Sequence, residues 1–155
     1  MISTKDLRKS VRLDFFCSIL LLLSACTPIS TKEQPVDASL RLHDIWVLES
    51  IHGQTINPQQ LYDNNQPLPR LEPRVRAKTF YGTDGCNDIF GKMRIRENQL
   101  RFTDLTGTEK ACLNSKLPQA FTTALQKVAQ YRIAKLKLYL LNAEGDTVMR
   151  LKKVD

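Results

Sequence analysis

Long apolar runs are missing from this sequence. The longest nearly apolar stretch, Phe15 to Leu23, covers nine residues, far short of the ~18 to 20 that a bilayer-spanning helix needs, which argues against a permanent transmembrane anchor. Histidine is scarce: only His43 and His52 occur, and no Cys-x-x-Cys joins any of the four cysteines. Neither a thioredoxin-like redox motif nor a metal-ligand spacing can be recognised, and the sequence implies no cofactor and no metal. Internal repeats and low-complexity tracts are also absent, which excludes a solenoid or an array. Acidic residues are outnumbered, 16 against 23 Lys and Arg, for a net charge of +7.

What is there begins with a basic N-terminus. Lys5, Arg8, Lys9 and Arg12 precede the short apolar run, as in the charged and hydrophobic regions of a secretory signal. Leu23-Ser24-Ala25-Cys26 then resembles a bacterial lipobox: an aliphatic residue, two small residues and a cysteine. That resemblance implies a diacylglyceryl group on the Cys26 thiol, cleavage before it and acylation of the new amine. Each buried methylene contributes roughly 0.8 kcal/mol, so several acyl chains anchor far more durably than one. A soluble secreted protein with Cys26 near an ordinary cleavage site is the plainer alternative. Thr27, where an Asp would suggest inner-membrane retention, favours the periplasmic face of the outer membrane.

Three segments follow. Residues 1–25 read as the lipoprotein signal peptide, 26–41 as the acylated cysteine with a flexible tether, and 42–155 as one domain. Removing the signal takes away four basic and two acidic side chains and leaves a net charge of +5. Export excludes nucleic acid as a partner, so the polyanions within reach are lipid phosphates, envelope glycans and acidic proteins.

Of the four cysteines, Cys17 leaves with the signal and Cys26 carries lipid. Cys86 and Cys112 remain, and in an oxidising envelope an isolated pair commonly closes into a disulfide. A structural staple is the leading reading. A thiol-redox centre, a metal pair and a cysteine nucleophile served by Asp84 or His52 are its competitors, each lacking a spacing that supports it.

Within the domain, residues 45–51 are rich in strand formers and end before Gly53, whereas Asn57 to Pro69, with its Asn and Pro, reads as a long surface loop. Between Arg74 and Phe80 the pattern alternates, with Arg74, Arg76 and Lys78 on one face of an expected strand. A Gly-rich turn at 82–87 follows, where Gly82 and Gly85 permit positive φ. A strand at 91–96 sets Lys92, Arg94 and Arg96 opposite Met93 and Ile95, and the next turns Leu100 and Phe102 inward and Arg101 outward. Ala120, Phe121, Ala124, Leu125, Val128 and Ala129 form one apolar stripe on a helix, capped by Ser115 with Pro118 in its first turn. Strands at 131–134, 136–141 and 147–152 close the chain, the last two joined by a hairpin turn at 142–146. The fold class expected is α+β: a small, curved, barrel-like antiparallel sheet with one amphipathic helix packed against it.

Trp46-Val47-Leu48, Ile51-His52-Gly53, Gly82 with Asp84-Gly85-Cys86-Asn87, Gly91, Leu100-Arg101-Phe102, Thr108-Glu109-Lys110-Ala111-Cys112, Phe121 with Leu125, and Leu138-Tyr139-Leu140 resemble the META domain of HslJ-like bacterial lipoproteins. The resemblance spans roughly 42–152. It implies a small barrel-like α+β fold, an envelope location and an association with stress or drug tolerance, and it implies no characterised catalytic activity. Lys110 and Met93 depart from the family's usual methionine and aromatic residue.

Two functional readings follow. The first is a non-enzymatic, membrane-tethered module that binds or supports an anionic envelope component or an envelope protein. Its face would comprise Arg74, Arg76, Lys78, Lys92, Arg94, Arg96 and Arg101, and the plainer account of those residues is a solvated outer surface. The second is a thiol-dependent enzyme using Cys86. A lipid or hydrophobic-ligand carrier is a weaker alternative, since a curved sheet can enclose a cavity.

Overall fold

In a computed structural model of the chain, residues 38–112 and 116–154 are described. The signal segment, Cys26, most of the tether and Ser115 lie outside the described residues. A 3-10 turn, Ala38–Leu42, buries Leu42 fully and leads into β1 (Trp46–Ile51). The Trp46 indole N–H donates to the Leu42 carbonyl at 2.9 Å, so the one tryptophan is buried without an unmet donor.

Beyond β1 come β2 (Gln54–Thr55), α1 (Pro58–Asp63), β3 (Arg70–Arg74), β4 (Thr79–Thr83), β5 (Asp88–Arg96) and β6 (Gln99–Gly107). The helix α2 (Lys116–Gln126) then crosses to β7 (Gln130–Ala134), β8 (Lys137–Leu141) and β9 (Thr147–Lys153). All pairings are antiparallel, in the order β2-β1-β3-β4-β5-β6-β7-β8-β9, and β1 also pairs with β9. The sheet therefore curls into a ring. Strand alternation turns hydrophobic side chains inward, where Trp46, Phe80, Met93, Leu100, Leu140 and Met149 are each no more than 2% exposed. Phe80 and Phe102 meet edge to face, with ring centroids 5.0 Å apart. These side chains belong to one buried hydrophobic cluster inside the ring.

Because neighbouring strands run in opposite directions, their connections alternate between two ends of the barrel. One end holds the entry to β1, the β3–β4, β5–β6 and β7–β8 turns and the last residues of β9. The other holds the β4–β5 turn, the crossover that carries α2, and the β8–β9 turn. Helix α2 buries Phe121, Ala124 and Leu125, as the apolar stripe predicts, but it ends at Gln126; Val128 and Ala129 are buried in the link to β7.

Two local expectations need correction. Asn57 to Pro69 is not all loop: the Asn57 side chain accepts from the Gln59 N–H at 3.0 Å and Pro58 starts the first turn, which together nucleate α1. The segment from Arg74 to Phe80 is not one strand. Arg74 pairs with Thr79 across a turn in which the Lys78 N–H bonds the Val75 carbonyl, with Lys78 at φ 56°. The alternating basic residues there mark a chain reversal, so Arg74, Arg76 and Lys78 do not share a strand face.

Candidate functional site

The chemistry-bearing residues of the Asp84–Asn87 and Thr108–Cys112 segments meet at the end of the barrel that α2 covers. Gly85, at φ 99°, lets the chain double back within four residues. Asp84 is 3% exposed, and its Oδ1 accepts the backbone N–H groups of Cys86 at 2.8 Å and Asn87 at 2.7 Å. This is a closed Asx-type turn: the carboxylate is occupied by the backbone it organises. Gly82, expected to supply positive φ, instead lies in β4 against β3, where a Cβ would stand 2.2 Å from the Arg70 carbonyl oxygen. Its role is close approach, which no local pattern reveals.

Asn87 fastens the second segment. Its Oδ1 accepts the Lys110 N–H at 2.8 Å and the Thr108 hydroxyl at 3.3 Å. Thr108 in turn accepts the Asp88 N–H at 3.1 Å and donates its own N–H to the Asp88 carbonyl at 3.0 Å. Cys86 and Cys112 are joined by a disulfide with their Cα atoms 6.1 Å apart. Thus the Gly-Cys-Asn and Thr-x-x-Ala-Cys segments form a single knot of hydrogen bonds and one covalent bridge.

Lys110 closes the outer side. Its ammonium is 3.1 Å from Asp88 Oδ2, and the Tyr81 hydroxyl donates to Asp88 Oδ1 at 3.2 Å. The Lys110 hydrogen bond is the main reason the Asp88 carboxyl is held below its ordinary range, against partial desolvation. Asp88 carried no signal in the sequence reading, and Lys110 drew notice only as a departure from the family. Their pairing needed the β5–β6 register to be seen.

A depression of about 380 Å³ lies beside this knot, lined among others by Asp84, Glu109, Lys110, Cys112 and Thr122. His52 is not among its lining residues; it sits in the turn after β1 at φ 46° and borders a separate cleft with Ser50 and Tyr139. The structure therefore does not bring His52 to Cys86 as a base. Among the described residues, no group of three or more His, Cys, Asp and Glu could hold a metal ion.

The basic residues divide into two sets. Phe90, Lys92, Arg94 and Arg96 share the outer face of β5, and Arg94 stands directly across from Arg101 on β6. Lys92 is relieved by Asp104 at 2.9 Å. Arg74 ends β3, and Arg76 and Lys78 stand in the β3–β4 turn. A further charged cluster went unanticipated: Glu49 on β1 accepts from Lys137 on β8 at 2.8 Å and Arg150 on β9 at 3.1 Å.

A search of curated proteins finds no match. Solved structures do resemble the chain. One, an NMR structure, has a TM-score of 0.57 at 21% identity, covering 76% of this chain and 95% of that one. An NMR structure of a protein from Burkholderia xenovorans has a TM-score of 0.56 at 23% identity, covering 83% and 97%. A crystal structure of a DUF4847 family protein from Bacteroides vulgatus has a TM-score of 0.51 at 15% identity, covering 74% and 96%. These likenesses concern the fold. The family model for the META domain matches residues 38–155, which takes in all the elements just described, and the chain belongs to the META domain family.

Proposed function

We propose that the chain is a lipid-anchored envelope protein whose META domain binds or supports another envelope component, in a role connected with stress or drug tolerance, and performs no reaction of its own. One observation carries this reading. The groups that a Cys86-centred enzyme would use are committed to structure: both thiols form the bridge, the Asp84 carboxylate holds two backbone N–H groups, and Asn87 and Thr108 tie the segments together. A nucleophile needs a free thiolate beside a base. The lipobox-like Leu23-Ser24-Ala25-Cys26 supports the anchor.

The test is intact-mass measurement and non-reducing peptide mapping of the chain isolated from native membranes. The expected result is an acylated N-terminal Cys26 and a single joined peptide holding Cys86 and Cys112. A free, alkylatable Cys86, together with an activity that Cys86→Ser removes while the barrel stays folded, would replace this reading with the thiol enzyme.

A further inference from the structure

We infer that the end of the barrel where the chain enters β1 docks on the anionic phospholipid headgroups of the membrane to which Cys26 tethers it, an inference that rests on the anchored reading above. Up-and-down strand order gathers Arg76 and Lys78 of the β3–β4 turn, Arg96 at the β5–β6 turn, Lys135 of the β7–β8 turn and Lys152 of β9 at this end. All five are exposed, and none makes an ion pair among the described residues. Among the described residues the nearby acids are few: Glu97 in the β5–β6 turn, and Asp44, which Lys153 engages at 2.9 Å.

The same end presents apolar side chains. Leu136 is 61% exposed and Ile45 is 42% exposed. They flank the end of β9, since the Lys153 N–H donates to the Leu136 carbonyl at 2.9 Å and the Val154 N–H to the Ile45 carbonyl at 3.1 Å. Basic groups around exposed aliphatic ones match a surface of phosphate headgroups over acyl chains. The opposite end is more acidic, with Asp84, Glu109, Glu144 and Asp146 in its connections and Asp88 at the start of β5, against Lys110, Lys116 and Lys127 in the crossover.

The covalent order of the chain selects the occupant. Cys26 is separated from the 3-10 turn at Ala38 by eleven residues, a span that reaches about 40 Å at most. The 3-10 turn that leads into β1 therefore starts within that distance of the lipid, and the end it enters is held at a high effective concentration that lets weak contacts act. A single lipid-proximal basic residue near an anionic surface is worth about fivefold in partition.

The experiment uses the chain purified from native membranes and placed in vesicles of phosphatidylglycerol or of phosphatidylcholine, then treated with a lysine-acylating reagent. Phosphatidylglycerol should shield Lys78, Lys135 and Lys152 but leave Lys127 reactive, and phosphatidylcholine should shield none of the four. In parallel, the variant Arg76→Gln/Lys78→Asn/Lys135→Asn, made without the acyl group by Cys26→Ser, should partition onto phosphatidylglycerol vesicles roughly a hundredfold less than Cys26→Ser alone. Asn is chosen where the backbone has positive φ. Equal labelling at both ends of a membrane-bound chain, or an unchanged partition of the variant, overturns the docking end and leaves the tether standing. An intact mass lacking acyl chains removes the tether instead; charge-dependent partition of that same chain onto phosphatidylglycerol still upholds the docking end, and its absence overturns it.

Discussion

At the scale of single residues, Asp84 has the largest structural consequence. A buried carboxylate oxygen that accepts two backbone N–H groups at 2.7 and 2.8 Å fixes the path on which Cys86 and Asn87 depend. Asp84→Ala removes the acceptor of both donors in a partly buried turn and should destabilise the domain by about 1 to 3 kcal/mol. Asp84→Asn keeps an acceptor oxygen and should retain most of that stability. Urea unfolding of the two variants checks this, and a wild-type midpoint for Asp84→Ala would show that the turn stands without the carboxylate. Some of this was legible: Gly85 in a Gly-Cys-Asn run reads as a positive-φ turn, and the two cysteines left over once an export signal is inferred read as a staple. Gly82 was misread because its constraint is the Arg70 carbonyl of another strand. Asp88 was missed because its value depends on Lys110, 22 residues later.

Among the elements, the seam that closes the ring joins the chain's first long strand to its last. β1 and β9 pair from Trp46 opposite Lys153 to Ile51 opposite Met149, and Glu49 lies across the seam between Lys137 and Arg150. The Lys137 hydrogen bond, with the charges of Lys137 and Arg150, holds the Glu49 carboxyl below its ordinary value of 4.5 against the opposing effect of burial. A carboxyl with a depressed folded-state pKa contributes stability above its unfolded pKa and loses it as pH falls through the folded one. Below about pH 4.5 the unfolded chain begins to take up a proton that the folded chain still refuses, and the seam weakens from there downward. Glu49→Gln should flatten the fall in denaturation midpoint between about pH 5 and pH 3; equal slopes for variant and wild type would remove Glu49 from the seam's pH response. The strands were the readable elements, since period-two alternation reports a half-buried sheet directly. The exception, Arg74 to Phe80, alternates in charge while the backbone turns at Val75–Lys78, and periodicity does not distinguish a strand from a turn flanked by two strands. Helix α1 is six residues long, shorter than the window in which a helical period can be recognised, and only its Asn57-Pro58 start signals it.

For the whole molecule, a curved, barrel-like antiparallel sheet with one amphipathic helix was legible in the sequence and the ring of strands with α2 bears it out, but the pairing that closes the ring was not, because β1 and β9 lie about a hundred positions apart and nothing local names the partner. The separation of basic and acidic ends was hidden for the same reason, since it follows from strand order. The disulfide acts at this scale too. It links the β4–β5 turn to the crossover ahead of α2 across a sequence separation of 26, and closing a loop of that length removes unfolded-chain entropy worth about 3.5 kcal/mol. Neither cysteine belongs to the buried core, which is built from Trp46, Phe80, Phe121, Leu140 and their neighbours. The bridge should accordingly lower the entropy of the unfolded chain without deciding the fold. Cys86→Ser/Cys112→Ser should therefore keep the far-ultraviolet circular dichroism of the parent while losing up to about 3.5 kcal/mol in urea unfolding, and reducing the parent should reproduce that loss. A double variant with no folded baseline would show that the bridge instead holds the crossover in place, because the hydrogen bonds from Asn87 and Thr108 would then be too weak to seat α2 on the barrel by themselves.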